Sequence, residues 1–156
     1  YVFELGRGSL LREGGDVTLM GIGIMVQACL DAAAGLAKEG IEARVANLGC
    51  LKPLDWELVV DSVRRTGAVV TAEEHMVTGG LGSAVSEILA EHCPAPLKRI
   101  GLRDTFGMSG KPEELLKHYG LTADDIKQAA YKVIARRDNH LASPVMDRQA
   151  PGLAGR

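Results

Sequence analysis

The sequence predicts an α/β domain whose parallel or mostly parallel sheet is covered on both faces by helices. Short apolar segments rich in β-branched residues alternate with longer amphipathic ones along the chain. The run Ala68-Val69-Val70 has no polar alternation, as in a strand buried on both faces. Glycines and prolines fall between the periodic segments, where turns and helix ends are needed.

Taken in order, residues 4–12 contain Gly6, Gly8 and Leu10-Leu11 and predict an irregular or edge strand, followed by a turn at Glu13-Gly14-Gly15. Residues 16–20 predict a strand that Gly21-Ile22-Gly23 breaks, opening a helix. Met25, Ala28, Cys29, Ala32 and Leu36 share one face of that helix, and Gly40 stops it. Residues 43–48 form the next strand. Pro53 lies in the following loop, Asp55 is placed to cap a helix over about 55–66, and Gly67 ends it. The strand at Ala68 leads into Glu73-Glu74-His75, expected just past its end, then a turn at Gly79-Gly80-Leu81-Gly82. The helix after it turns Leu81, Val85, Ile88 and Leu89 inward. Pro94 and Pro96 punctuate the way to a strand over 97–102. Pro112 opens a short helix that Gly120 ends, and Thr122 with Asp125 resembles a capping box for a last helix to about Arg136. The domain is expected over residues 1–136. The tail 137–156, with Pro144, Pro151 and Gly152 and no sustained period, is expected to be mobile or draped on the surface.

A chain of 156 residues suits one core, and its 46% hydrophobic and 24% charged content is that of a soluble protein. A net charge of −2 and 4% aromatics give no case for nucleic acid or an anionic membrane. Nothing approaches the length of a membrane span, and no signal peptide is visible, so a cytoplasmic location is expected. Cys29, Cys50 and Cys93 lack metal-ligand spacing and read as reduced, small buried hydrophobes. The chain opens on Tyr1 rather than Met, as an excised piece of a longer protein would.

The loops that follow the parallel strands gather at one sheet edge, which brings Lys52, His75, Arg103 and Asp104 into one neighbourhood. Gly21-Ile22-Gly23-Ile24-Met25-Val26 begins like a dinucleotide fingerprint. Val26 stands where its third glycine belongs, and the next strand ends in Asn47-Leu48 rather than an acid, so the turn reads as plain strand-to-helix geometry. Gly79-Gly80-Leu81-Gly82 lacks the Lys-Ser or Lys-Thr of a P-loop. A helix N-terminus there could hold an anion, but close backbone approach to another chain is the preferred account of the glycines. Glu73, Glu74 and His75 could do acid–base work. Adjacent residues of an extended segment point opposite ways, however, and no nucleophile stands by, so structural or interface hydrogen bonding is the ordinary reading. His92, His118 and His140 read as surface residues, and Ser109 as turn chemistry. The candidate interface or anion-binding set is thus Glu73, Glu74, His75, Gly79, Gly80 and Gly82, with no catalytic, cofactor-binding or metal-binding residue named.

These residues also carry a resemblance. EEHMVTGGLGSAVSEIL, PLKRIGLRDTFGMSG, PEELLKHYGLTADDI, LREGGDVTLMGIGIMV and Lys52-Pro53-Leu54-Asp55 together resemble the C-terminal domain of transketolase over roughly residues 4–136. The nearest likeness is to the C-terminal half of split bacterial and archaeal transketolases. Deoxyxylulose-5-phosphate synthase and the β subunit of 2-oxo acid dehydrogenases share the domain, and the segment from Phe106 to Gly110 favours the transketolase branch. The resemblance implies a three-layer α/β/α fold with a five-stranded mixed sheet and one antiparallel edge strand. It implies a thiamine diphosphate enzyme of the pentose phosphate pathway that moves a two-carbon ketol unit between sugar phosphates. Magnesium and the diphosphate are held in that family by a Gly-Asp-Gly…Asn-Asn motif. Gly15-Asp16 lacks the second glycine and no Asn-Asn pair occurs, so this domain is expected to bind no cofactor. The implied partners are a pyrimidine-binding domain upstream, a pyrophosphate-binding subunit, and a second copy across a dimer interface. The alternatives are a domain of one of the two sister enzymes, or a freestanding ligand-binding regulatory module.

Overall fold

The fold is laid out from a central strand. The computed structural model describes residues 4–142, and the side chains up to residue 139. Strand β2 (Val17–Gly21) is buried at every position. It pairs in parallel with β3 (Ala43–Asn47) on one side and β4 (Val69–Met76) on the other. β5 (Leu97–Leu102) pairs in parallel with β4, and β1 (Ser9–Arg12) pairs antiparallel with β3, Ser9 opposite Asn47. The sheet is five-stranded, in the order β1-β3-β2-β4-β5. The short antiparallel edge falls within the segment read as an edge strand.

Pleating sends neighbouring side chains of β2 to opposite faces. Leu19 packs under α1 (Met25–Ala37) and α5 (Ala123–Ala142), in a core with Cys29, Leu36, Ile126 and Val133. Met20 packs under α2 (Trp56–Thr66) and α3 (Leu81–His92), with Val59, Leu81 and Val85. Two helical layers therefore cover one sheet, the α/β/α arrangement expected.

The element ends follow local chemistry. Asp55 Oδ1 accepts from the Leu58 N–H at 3.0 Å as the cap of α2, whose end lies at Gly67 with φ of 65°. At α5, the Thr122 N–H donates to Asp125 Oδ2 (3.0 Å) and the Asp125 N–H to Thr122 Oγ1 (3.3 Å), a reciprocal capping box. Pro112 opens α4 (Pro112–His118). Buried Thr18 bonds to the Ser62 carbonyl and to Thr66, joining β2 to α2. Tyr131 Oη donates to Glu39 (2.6 Å), and Lys127 reaches the same carboxylate, joining α5 to the turn after α1. The Tyr131 bond is the main cause holding the Glu39 carboxyl below its ordinary range.

Two details differ from the sequence reading. β4 does not end before the charged cluster; it runs through Glu73, Glu74 and His75 to Met76, and Glu73 is buried within it. The last helix does not end near Arg136 but continues to Ala142, so the first part of the segment read as a tail is helical. Residues 143–156 of that tail, and Tyr1, lie outside the described residues.

Candidate functional site

The connection from β2 leads by α1 to β3 on one side, and the connection from β3 leads by α2 back across to β4. The strand order therefore switches between β2 and β4, and a crevice opens beyond their carboxyl ends, where open α/β sheets meet their ligands and partners. Gly21-Ile22-Gly23 and the segment from Glu73 to Gly82 form its rims. Glu74 Oε1 lies 3.6 Å from where a Cβ on Gly23 would stand, so the two rims are in reach of each other.

The candidate residues divide sharply. Glu73 is 1% exposed, and its carboxylate accepts from the Leu81 N–H (2.8 Å, Oε2) and the Gly82 N–H (2.8 Å, Oε1). It caps α3 from within the chain, placing a negative charge at the positive end of the helix. The carboxylate of Glu73 already holds the Leu81 and Gly82 amide groups that an anion bound at this turn would need. The close approach that requires the glycines is also made within the chain. A Cβ on Gly80 would lie 1.8 Å from Glu73 Oε2 and 2.8 Å from the Met76 carbonyl oxygen, and one on Gly82 would lie 2.6 Å from Arg99 Cδ. Of these three glycines only Gly79 has a left-handed backbone, with φ of 80°, and its N–H donates to Ser83 Oγ at 2.9 Å.

Glu74 and His75 are exposed on the same strand end. Glu73 and Glu74 point to opposite sides, as extended geometry requires, and form no carboxylate pair. No hydrogen bond or ion pair joins Lys52, His75, Arg103 and Asp104 among the described residues; the loops share an edge without building a charged cluster there. Asp104 alone among the described non-glycine residues has a left-handed backbone, with φ of 46°.

What sequence reasoning missed at this edge is apolar. Ile24 follows β2, Met76 ends β4, and Phe106 and Met108 lie in the loop after β5; all are exposed, Phe106 at 101%. Ile24 and Met108 line a hollow of about 340 Å3 walled also by Leu102, Pro112, Leu115 and Leu121, with Glu74 at its margin. Its signal was the mismatch of large hydrophobics in Gly-rich turns, visible in Phe106-Gly107-Met108 but not weighed.

The residues do not fit thiamine diphosphate with a divalent metal. Among the described residues no group of three His, Cys, Asp or Glu side chains could hold a metal ion, and the α3 N-terminus is filled by Glu73. Nor does cysteine chemistry suggest itself: Cys29 is buried, which pushes its thiol up to about 12, and Cys50 and Cys93 are unpaired and half-buried.

Comparison with known proteins matches the family model "Transketolase, C-terminal domain" over residues 6–126. The chain belongs to the transketolase C-terminal domain family. As such a domain, it is 53% identical over 136 residues to the 6-deoxy-6-sulfo-D-fructose transketolase subunit SqwH of Clostridium sp. (strain MSTE9), covering 87% of this chain and 42% of that protein. It is 43% identical over 150 residues to the 1-deoxy-D-xylulose-5-phosphate synthase of Heliobacterium modesticaldum, covering 94% of this chain and 23% of that protein. A solved split-gene transketolase, described as an inactive beta4 tetramer, superimposes with a TM-score of 0.83 at 54% identity, over 85% of this chain and 44% of that one. The domain thus spans less than half the length of the relatives it matches. Among the described residues no helix is long and apolar enough to cross a membrane.

Proposed function

We propose that this domain is the non-catalytic packing and assembly part of a split transketolase, acting in the cytoplasm within an enzyme that transfers a two-carbon ketol unit between sugar phosphates. Thiamine diphosphate and magnesium belong to the complete enzyme and lie on other domains. The observation that carries this reading is the exposed apolar edge formed by Ile24, Met76, Phe106 and Met108. Large hydrophobics grouped at one exposed edge mark a protein–protein contact. Glu74 and His75 supply the polar margin of that contact. Its partners are a pyrimidine-binding domain, the pyrophosphate-binding subunit and a second copy of the chain. The likeness to the sulfofructose transketolase subunit makes 6-deoxy-6-sulfo-D-fructose a donor to try beside the sugar phosphates.

Reconstitution tests it. The chain, joined to its pyrimidine-binding domain, is mixed with the pyrophosphate-binding subunit, and sedimentation is followed together with ketol transfer. Phe106→Ser with Met108→Ser is expected to weaken assembly about tenfold or more, as loss of buried anchors does, while circular dichroism stays unchanged. Full assembly of the double variant would remove the edge from the interface.

A second reading rests on the deoxyxylulose-phosphate synthase likeness. The same reconstituted enzyme, offered pyruvate and glyceraldehyde 3-phosphate, separates the two, because that synthase decarboxylates its donor and a transketolase does not.

A further inference from the structure

Away from the apolar edge, a cavity of about 230 Å3 lies between edge strand β5 and α5. Lys98 and Arg103 wall it from the strand side and Lys132 from the helix. Arg136, one turn further along α5, adds a fourth positive charge within electrostatic reach of Lys98. Several cations elsewhere are met by carboxylates: Arg44 by Glu13 and Asp61, Arg65 by Asp61, Lys127 by Glu39. Among the described residues none of Lys98, Arg103, Lys132 and Arg136 has a hydrogen-bond or ion-pair partner. The carboxylate at the cavity wall, Asp125, is turned to the Thr122 cap of α5. The charge density is costly to the free protein: partial burial first, then the neighbouring cations, push the Lys98 ammonium below its ordinary range. It is also out of character for a chain of net charge −2.

The cavity is continuous in its lining with a second hollow of about 390 Å3, which shares Gly101, Arg103 and Tyr119 and adds Leu102, Thr105, Phe106, Met108 and His118. Tyr119 is held in place there. Its hydroxyl accepts from the Met108 N–H at 3.1 Å, and its ring meets His118 edge-on, with centroids 4.8 Å apart. A cationic lobe thus opens onto a lobe with a fixed aromatic wall.

We propose that this double hollow is a binding site for a small organic phosphate, its phosphoryl group among Lys98, Arg103 and Lys132 and its ring or carbon body against Tyr119. A phosphoryl dianion relieves the mutual repulsion of the cations and takes charge-assisted hydrogen bonds from them. Edge strand β5 has a strand partner on one side only, which leaves some of its backbone N–H groups outside the ladder. The aromatic lobe shares Phe106 and Met108 with the apolar edge, and the cationic lobe does not.

The test is calorimetric titration of the full chain with phenyl phosphate and, separately, with inorganic phosphate, at low and raised salt. Phenyl phosphate is expected to bind saturably and tighter than inorganic phosphate, and to weaken as salt rises. Lys98→Gln and Lys132→Gln are each expected to weaken it roughly tenfold, the loss of one charge-assisted bond. Lys127→Gln, on the same helix but paired with Glu39, is expected to leave affinity unchanged. Equal affinity for the two phosphates would overturn the aromatic lobe. Absence of saturable binding, or equal weakening by Lys127→Gln, would overturn the site. Binding of an acidic peptide but of neither phosphate would overturn it in favour of a protein contact.

Discussion

Glu73 decides the local structure of the crevice rim. One side chain, pointed inward by the pleat of β4, satisfies two amide groups that the start of α3 would otherwise leave unpaired. Glu73→Ala is expected to cost about 2–3 kcal/mol in urea unfolding, the range for losing hydrogen bonds to a buried charge. Glu74→Ala, on the exposed side of the same strand, is expected to change stability by less than about 0.5 kcal/mol. The glycines rank by what surrounds them. Gly79→Ala meets open space and costs only left-handed strain, about 1 kcal/mol. Gly80→Ala drives a methyl into Glu73 and the Met76 carbonyl and is expected to cost more than Gly79→Ala. Equal losses at the two positions would mean that Glu73 does not hold the rim. The glycine spacing was readable from the sequence as a demand for close approach. That the approaching group is Glu73 was not, because a strand's inward side cannot be told from local sequence when the run before it is apolar on both faces.

At the scale of elements, α5 holds the domain together further than its sequence suggests. Arg137 Nη1 donates to the Asp16 carbonyl (2.6 Å) and to the Thr66 carbonyl (2.8 Å), and its stem lies on Gly67. One side chain thus ties the last helix to the entry of β2 and the exit of α2. Arg137→Ala is expected to lower stability by about 2 kcal/mol, the order of two charge-assisted bonds to backbone carbonyls. Truncation after Arg137 is expected to leave the melting temperature nearly unchanged, because the remaining composition buries little apolar surface. A drop of many degrees on that truncation would show that the segment docks. The helix overran its expected end because no Gly or Pro interrupts residues 123–142; the fading of the apolar period near Arg136 did not mark the end of the helix.

For the whole molecule, the proposed role is that of an assembly surface. The isolated chain is expected to give a silent calorimetric titration with thiamine diphosphate and magnesium, because the carbanion-stabilising group of this class is the cofactor's own and needs walls from other domains. Saturable binding there would overturn the assembly reading while leaving the phosphate proposal untouched, since Lys132→Gln separates the two.

The α/β class, the edge strand and nearly every helix end were legible in the residues themselves, while the antiparallel edge of a five-stranded sheet was implied by the family resemblance. Period, capping residues and turn glycines are short-range properties: Asp55, Gly67, Pro112 and the Thr122–Asp125 pair each act on their own turn. The apolar edge and the cationic hollow were decided only in three dimensions. Ile24, Met76 and Phe106 come from separate segments of the chain, and Lys98 and Lys132 from a strand and a helix far apart in it. Such sites depend on which strands become neighbours, and that is settled by long-range packing that no local pattern records.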